Sequence, residues 1–190
     1  MDQSIRDAIN YHRQALAEFE MNAPAVLSGI AQNIIECYHE GGTVYLCGNG
    51  GSAADSQHIA AELVGRFRRE RRGLSAVALT TDTSILTSLG NDYGYERIFA
   101  RQVEALVWPH DTLWVFSTSG TSENIIAAVE TAREIGASVI SFTGKSNTPL
   151  EKMSDWCYCA NTEWTSTAQE MHALAYHIIC DLVEAEISRD

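Results

Sequence analysis

The apolar positions of this chain follow two rhythms, and the change between them falls at Gly41-Gly42. Before it, Ile5, Ala8, Ile9, His12, Leu16 and Phe19 recur every three or four residues, as on one face of a helix. Val26, Leu27, Ile30, Ile34, Ile35 and Tyr38 form a second such stripe. Asn22-Ala23-Pro24 stands between them, and a residue ahead of proline avoids helical dihedrals, so the pattern predicts two helices with a break there. After Gly42 the apolar residues gather into short runs: Val44–Cys47, Ala76–Leu79, Leu113–Phe116, Ser138–Phe142 and Trp156–Cys159. Helical patterns separate them. One opens near Ser52, one covers Ser84–Leu89, one runs from Glu123 or Asn124 to Ile135 with Gly136 as its stop, and one runs from near Ser166 to Ile187. Short buried strands alternating with helices predict an α/β chain of three layers, with a Rossmann-like parallel sheet of five strands flanked by helices. Residues 1–40 read as an N-terminal helical extension and residues 41–190 as a single ligand-binding domain.

Parallel sheets of this kind bind ligands beyond the carboxyl ends of their strands. Two loops with unusual composition leave the strands on that rim. The first is Cys47-Gly48-Asn49-Gly50-Gly51-Ser52, where missing side chains let a ligand approach the backbone closely. Ser52 with Asp55 fits a capping box, so a helix is expected to begin there, with its free N–H groups facing an anion. His58 and Glu62 follow four residues apart on one helix face. That pair reads as a metal half-site, as a base with its partner, or as a surface pair. The second loop, Ser117-Thr118-Ser119-Gly120-Thr121-Ser122, offers hydroxyls and backbone N–H groups ahead of a helix, a phosphate cradle without a lysine. The bland alternative is an ordinary hydroxyl-rich helix cap.

The last helix opens with Ser166-Thr167-Ala168-Gln169-Glu170-Met171-His172, in which Ser166 and Gln169 can form a capping box. His172 and His177 face different directions, about 140° apart around the axis. Gln169 and His177 share a side but lie about 12 Å apart along a regular helix. One ion reaches both only if the first turn is distorted or a neighbouring chain completes the site. Arg66–Arg72 is the one basic run, readable as a solvated face or as a holder of an anionic substrate or an acidic neighbouring subunit. Asn91-Asp92-Tyr93-Gly94-Tyr95 is equally a turn and a pair of sugar-hydroxyl ligands.

Composition narrows this. The 190 residues carry a formal net charge of -12, which argues against a general nucleic-acid binder and means that an anionic substrate must be captured locally. No run is long and apolar enough to cross a bilayer, and Met1–Asp7 lacks the basic-then-apolar layout of a secretory signal, so no membrane partner and a cytoplasmic location are expected. The five cysteines form no CxxC pair and read as reduced, small apolar packers.

Taken together, the motifs resemble the SIS (sugar isomerase) family, and within it the sedoheptulose 7-phosphate isomerase group, over almost the whole chain. The resemblance rests on Gly48-Asn49-Gly50-Gly51-Ser52, on His58 to Leu63, on Gly90-Asn91-Asp92-Tyr93-Gly94, on Ser117-Thr118-Ser119-Gly120, and on Gln169-Glu170-Met171-His172 with His177. It implies an aldose-ketose isomerase that forms D-glycero-D-manno-heptose 7-phosphate through an enediol, on the way to lipopolysaccharide heptose. It further implies Glu62 as the base and His177 as its acid partner. By the same resemblance His58, Glu62, Gln169 and His177 are ligands of one Zn²⁺ per subunit. Phosphate contacts carry over to Ser117, Thr118, Ser119 and Ser122, and sugar contacts to Asn49, Gly50, Gly51, Ser52, Asn91, Asp92, Glu62 and Gln169. Members are typically homotetramers with sites near subunit contacts. The chain departs from the family at Thr167-Ala168, where Arg-Ile is usual, and at Thr121, where Asn is usual. Two readings compete: a non-catalytic scaffold of the same fold that binds the replication initiator, and a phosphosugar-sensing regulator. The scaffold branch departs at the Glu62 and His177 positions, both of which are intact here.

Overall fold

The structure, a computed structural model, describes residues 1–189. Its elements in chain order are α1 (Asp2–His39), β1 (Val44–Gly48), α2 (Gly51–Val64), β2 (Ala76–Ala78), α3 (Thr83–Asp92), a 3-10 turn (Tyr95–Arg97), α4 (Ala100–Leu106), β3 (Thr112–Ser117), α5 (Glu123–Ile135), β4 (Ser138–Thr143), α6 (Pro149–Met153), β5 (Trp156–Cys159) and α7 (Thr165–Ile187). The five strands are all parallel and lie in the order β2-β1-β3-β4-β5. All five strands expected from the apolar runs are present. The 3-10 turn, α4 and α6 were not anticipated, because each is too short to show a helical period.

Side-chain alternation along the strands makes two cores. Trp114, Phe116, Ile140, Phe142 and Tyr158 point to one face, where α1, α2 and α7 cover them. Leu113, Val115 and Val139 point to the other, against α4, α5 and α6. β3 is buried along its whole length, as a central parallel strand must be when helices cover both faces. Trp114, Phe116 and Phe142 pack ring against ring with centroids 5.0–5.5 Å apart, and each such side chain contributes about 1.5–3 kcal/mol through burial.

The predicted break at Asn22-Ala23-Pro24 is not there. α1 runs unbroken for 38 residues with Pro24 inside it. Its buried residues form one stripe, Ala15, Phe19, Ala23, Leu27, Ile30, Ala31, Ile34, Ile35 and Cys37, in the same core as the sheet. An interior proline costs roughly 3 kcal/mol, and the burial of Ala23 and Leu27 on either side of it offsets that. The earlier stripe is largely solvent-facing, with Ile5 59 % and Ile9 49 % exposed. All five cysteines are free, and Cys37, Cys47 and Cys180 are buried, with thiols pushed up by burial, to about 11 for Cys37 and about 12 for Cys180.

The strand order also places the ligand crevice. β2 lies on one side of β1 and β3 on the other, so the chain reverses direction across the sheet between β1 and β3. The loops leaving those two strands stand at their carboxyl ends, where parallel sheets of this kind bind ligands. These are the glycine loop and the hydroxyl loop.

Candidate active site

The glycine loop follows β1 directly, and α2 begins at Gly51 with Gly50 at its N-cap and no capping side chain. The expected Ser52–Asp55 capping box is therefore corrected. Ser52 is buried inside the first turn against Gly48, and its carbonyl accepts the Ser56 hydroxyl at 2.8 Å. The Asp55 carboxylate faces Tyr176 instead. The Ser166–Gln169 box is corrected too: α7 starts at Thr165 with Trp164 at its N-cap and no capping side chain. Gln169 is thereby released to lie against Gly51, where any Cβ would collide with its amide. Gly51 is what allows α7 and the glycine loop to approach this closely.

Lower on α2, His58 and Glu62 meet His177 of α7. Each offers one ligand atom, and the three atoms lie within 4.8 Å of one another. His58 Nε2 is 3.1 Å from Glu62 Oε1, and the His58 and His177 rings meet edge to face at 5.1 Å. Burial and the neighbouring His58 hold His177 below the ordinary histidine range, while Glu62 opposes that shift. α7 runs as one unbroken α-helix from Thr165 to Ile187, so the distorted first turn considered for Gln169 and His177 is absent. Behind His58, its Nδ1 lies 3.1 Å from the Tyr176 hydroxyl, which stands 3.4 Å from Asp55 Oδ1. Burial raises the Asp55 carboxyl above its usual range, and the Tyr176 hydroxyl and His58 pull it back.

The basic run holds this groove together from below. Glu184, fully buried on α7, accepts the backbone N–H groups of Phe67, Arg68 and Arg69 at 2.7–2.8 Å. Burial alone would raise its carboxyl, but those three donors and Arg71 outweigh burial and lower it. The Arg71 side chain, only 4 % exposed, pairs with Glu184 and donates to the carbonyls of Glu62, Leu63 and Gly65, which close α2. Arg68 and Arg69 pair with Asp181. The acidic partner of the run is thus α7 of the same chain. The loop so clamped places Phe67 against His177, ring centroids 5.6 Å apart and nearly parallel.

The hydroxyl loop sits on the neighbouring strand. The Ser117 hydroxyl lies 3.0 Å from that of Ser122 and 3.3 Å from that of Ser119. Asn49 ties the two loops together by exchanging two 2.9 Å amide hydrogen bonds with Asn124 at the start of α5. Thr118, Ser119 and Thr121 line a cavity of ≈ 350 Å³ together with Lys145. Lys145 is a cation that a reading along the chain does not place beside the cradle. Asn91 and Asp92 are exposed at the end of α3 and bonded to each other at 2.7 Å, outside the three-residue cluster. Just beyond them, the Tyr95 hydroxyl donates to Asn49 Oδ1 at 3.1 Å.

Tyr176, Asp55, Phe67 and Tyr95 were missed as site residues. For Asp55 and Tyr176 a faint signal existed: Asp55 stands one helical turn before His58, and Tyr176 is next to His177. Phe67 and Tyr95 come from loops whose course only the fold defines.

A family model described as the SIS domain matches residues 9–144. The phosphoheptose isomerase of Roseiflexus sp. (strain RS-1) is 53 % identical over 165 residues, which is 87 % of this chain and 83 % of the relative. The solved phosphoheptose isomerase GmhA of Neisseria gonorrhoeae superposes with a TM-score of 0.92 at 37 % identity, covering 97 % of this chain and 98 % of the other. A phosphoheptose isomerase from Francisella tularensis gives 0.93 at 36 %, covering 96 % and 97 %. These are similarities to isomerases, and they leave the scaffold reading without support. With the glycine and hydroxyl loops side by side at the ends of β1 and β3 and the His58–Glu62–His177 cluster in place, the chain belongs to the SIS-domain family and, within it, to the phosphoheptose isomerases.

Proposed function

We propose that the chain isomerises sedoheptulose 7-phosphate to D-glycero-D-manno-heptose 7-phosphate by enediol proton transfer. The observation that carries this is the meeting of Glu62 and His177 in the groove between α2 and α7. It lies one strand away from a cradle of serine hydroxyls. The Glu62 carboxylate takes a proton from C1 of the ketose and returns it to C2. His177 gives a proton to O2 as the enediol forms and takes one from O1 as it collapses, so the proton balance closes. A histidine held below its ordinary range stays neutral near pH 7. A neutral imidazole donates at one nitrogen and accepts at the other, which suits transfer between two oxygens. Ser117, Thr118, Ser119 and Ser122 hold the phosphate in this reading, with Lys145 as the cation beside the cradle and Glu163 lining the same cavity.

The same cluster suits Zn²⁺, one ion per subunit. Its imidazole and carboxylate donors are those zinc takes, at about 2.0–2.2 Å, and three ligand atoms within 4.8 Å of one another need only small shifts to meet one ion. His58, Glu62 and His177 would hold it, and a ligated Glu62 is a weaker base, so the two roles compete. Gln169, which lies against Gly51 on an undistorted α7, would serve as the fourth ligand only where a neighbouring subunit completes the site. Bound there, the ion supplies Lewis-acid polarisation of the substrate oxygens. The continuous α7 fits a homotetramer in which subunit contacts complete each site. Among the described residues no helix is long and apolar enough to cross a membrane. A cytoplasmic enzyme that feeds lipopolysaccharide heptose synthesis is the setting this reading assigns. The test is turnover of sedoheptulose 7-phosphate with added zinc and with chelator. Turnover lost on chelation supports both readings, turnover insensitive to chelation removes the metal, and no turnover in either condition by folded protein removes the isomerase.

A further inference from the structure

The Tyr176 hydroxyl has one proton and two neighbours that want it. Asp55 Oδ1 lies at 3.4 Å and His58 Nδ1 at 3.1 Å. An ionised carboxylate only accepts, and Asp55 needs a donor because its other oxygen, Oδ2, is buried without a hydrogen-bond partner among the described residues. If Tyr176 donates to Asp55, His58 must donate to Tyr176 from Nδ1. His58 Nε2 is then bare, and it faces Glu62 Oε1 at 3.1 Å. Two acceptors at that distance repel unless a cation, a metal ion or a second proton on the imidazole, lies between them. In the alternative, Tyr176 donates to Nδ1, Nε2–H donates to Glu62, and Asp55 loses its donor. A single hydroxyl therefore couples the tautomer of His58 to the presence of a cation.

We propose that Tyr176 and Asp55 are positioning residues that hold His58 as its Nδ1–H tautomer and so present Nε2 to a metal ion. This rests on the metal reading of the His58–Glu62–His177 cluster and extends it to two residues outside the ligand set. An outer hydrogen bond on the far nitrogen fixes ring orientation and raises ligand basicity, an effect worth roughly 10–100-fold in metal affinity. The Tyr176 ring meets the His58 ring edge to face at 5.5 Å and the His177 ring at 4.6 Å. Tyr176→Phe keeps that packing and removes only the hydroxyl.

The experiment is a zinc titration of the purified full chain in competition with a chromophoric chelator, alongside thermal melting of the metal-free protein. Tyr176→Phe and Asp55→Asn should each weaken zinc roughly 10–100-fold while metal-free melting stays at the wild-type value. Wild-type affinity in Tyr176→Phe, with the wild type binding zinc, overturns this proposal alone. No zinc binding by the wild type overturns the metal reading and this proposal with it. A fall in metal-free melting that accompanies the loss of zinc in both variants assigns the hydroxyl to packing and also overturns the proposal.

Discussion

On the face of α7 that meets the sheet, His172 is fully buried, donates from Nε2 to the Thr143 carbonyl at 3.0 Å and is surrounded by Phe116, Phe142 and Tyr158. On the face that meets α2, five residues on, His177 is part-exposed between Phe67, His58 and Glu62. Burial lowers both imidazoles, His172 to about 4. Their uses differ because their neighbours differ. His172 has a single backbone acceptor and aromatic walls, so it can only pack. His177 is part-exposed and has a carboxylate and a second imidazole beside it, so it can exchange a proton or bind an ion. The same side chain on the same helix is structural or chemical according to what the other elements bring to it.

The sharpest way to break this comparison is at the carboxylate. Glu62→Gln should lower kcat by about 10²–10⁴-fold, the range of a lost acid–base group, with thermal melting unchanged. Near-normal turnover would remove Glu62 as the base. The two histidines should then separate cleanly. His177→Gln is expected to lower kcat about 10²-fold with melting preserved. His172→Gln should destabilise by about 1–3 kcal/mol, through misplacement of a buried hydrogen bond, while the folded fraction keeps its kcat. Denaturant unfolding beside kinetics decides this, and equal kcat losses in both variants would erase the distinction drawn here.

Acid should expose the packing histidine next. His172 has a folded-state pKa of about 4 against an ordinary 6.5. The unfolded chain therefore binds its proton first, and the stability that a neutral His172 provides is complete above about 6.5 and is lost as pH falls towards 4. Glu184 adds a second loss at lower pH, because its folded pKa is depressed from 4.5 and its contribution disappears as it protonates. Melting temperatures from about pH 7.5 down to about 2.5 check this, and His172→Gln should remove the upper part of the slope. The smallest effect is expected at the cradle. Ser119→Ala should raise KM about tenfold, as for one lost hydrogen bond to a charged group, with kcat little changed. An unchanged KM would move the phosphate away from Ser117–Ser122.

Much of the architecture was legible in one dimension. Gly136 stops α5 in the left-handed conformation at φ 91°, as its place after Ile135 suggested, and the five apolar runs became the five strands. What misled were local rules that long-range packing overrode. Pro24 stays inside α1 because the helix is buried on both sides of it. Ser52 and Ser166 do not cap, because Asp55 turns to Tyr176 and Gln169 to Gly51. Arg71 looked solvated because its buried partner, Glu184, lies 113 residues away along the chain.

The sequence by itself determined the α/β alternation, the two ligand-facing loops and the pairing of His58 with Glu62, since periodicity, glycine and hydroxyl clusters and helical spacing are local properties; His177 became a candidate only through the resemblance to the SIS family. Only the tertiary structure decided that α7 carries His177 into contact with α2, that Glu184 and Arg71 clamp the loop bearing Phe67, and that Tyr176 and Asp55 stand behind His58. These are meetings between residues more than a hundred positions apart. Their geometry follows from how two helices pack on one face of a sheet, which no single stretch of the chain encodes.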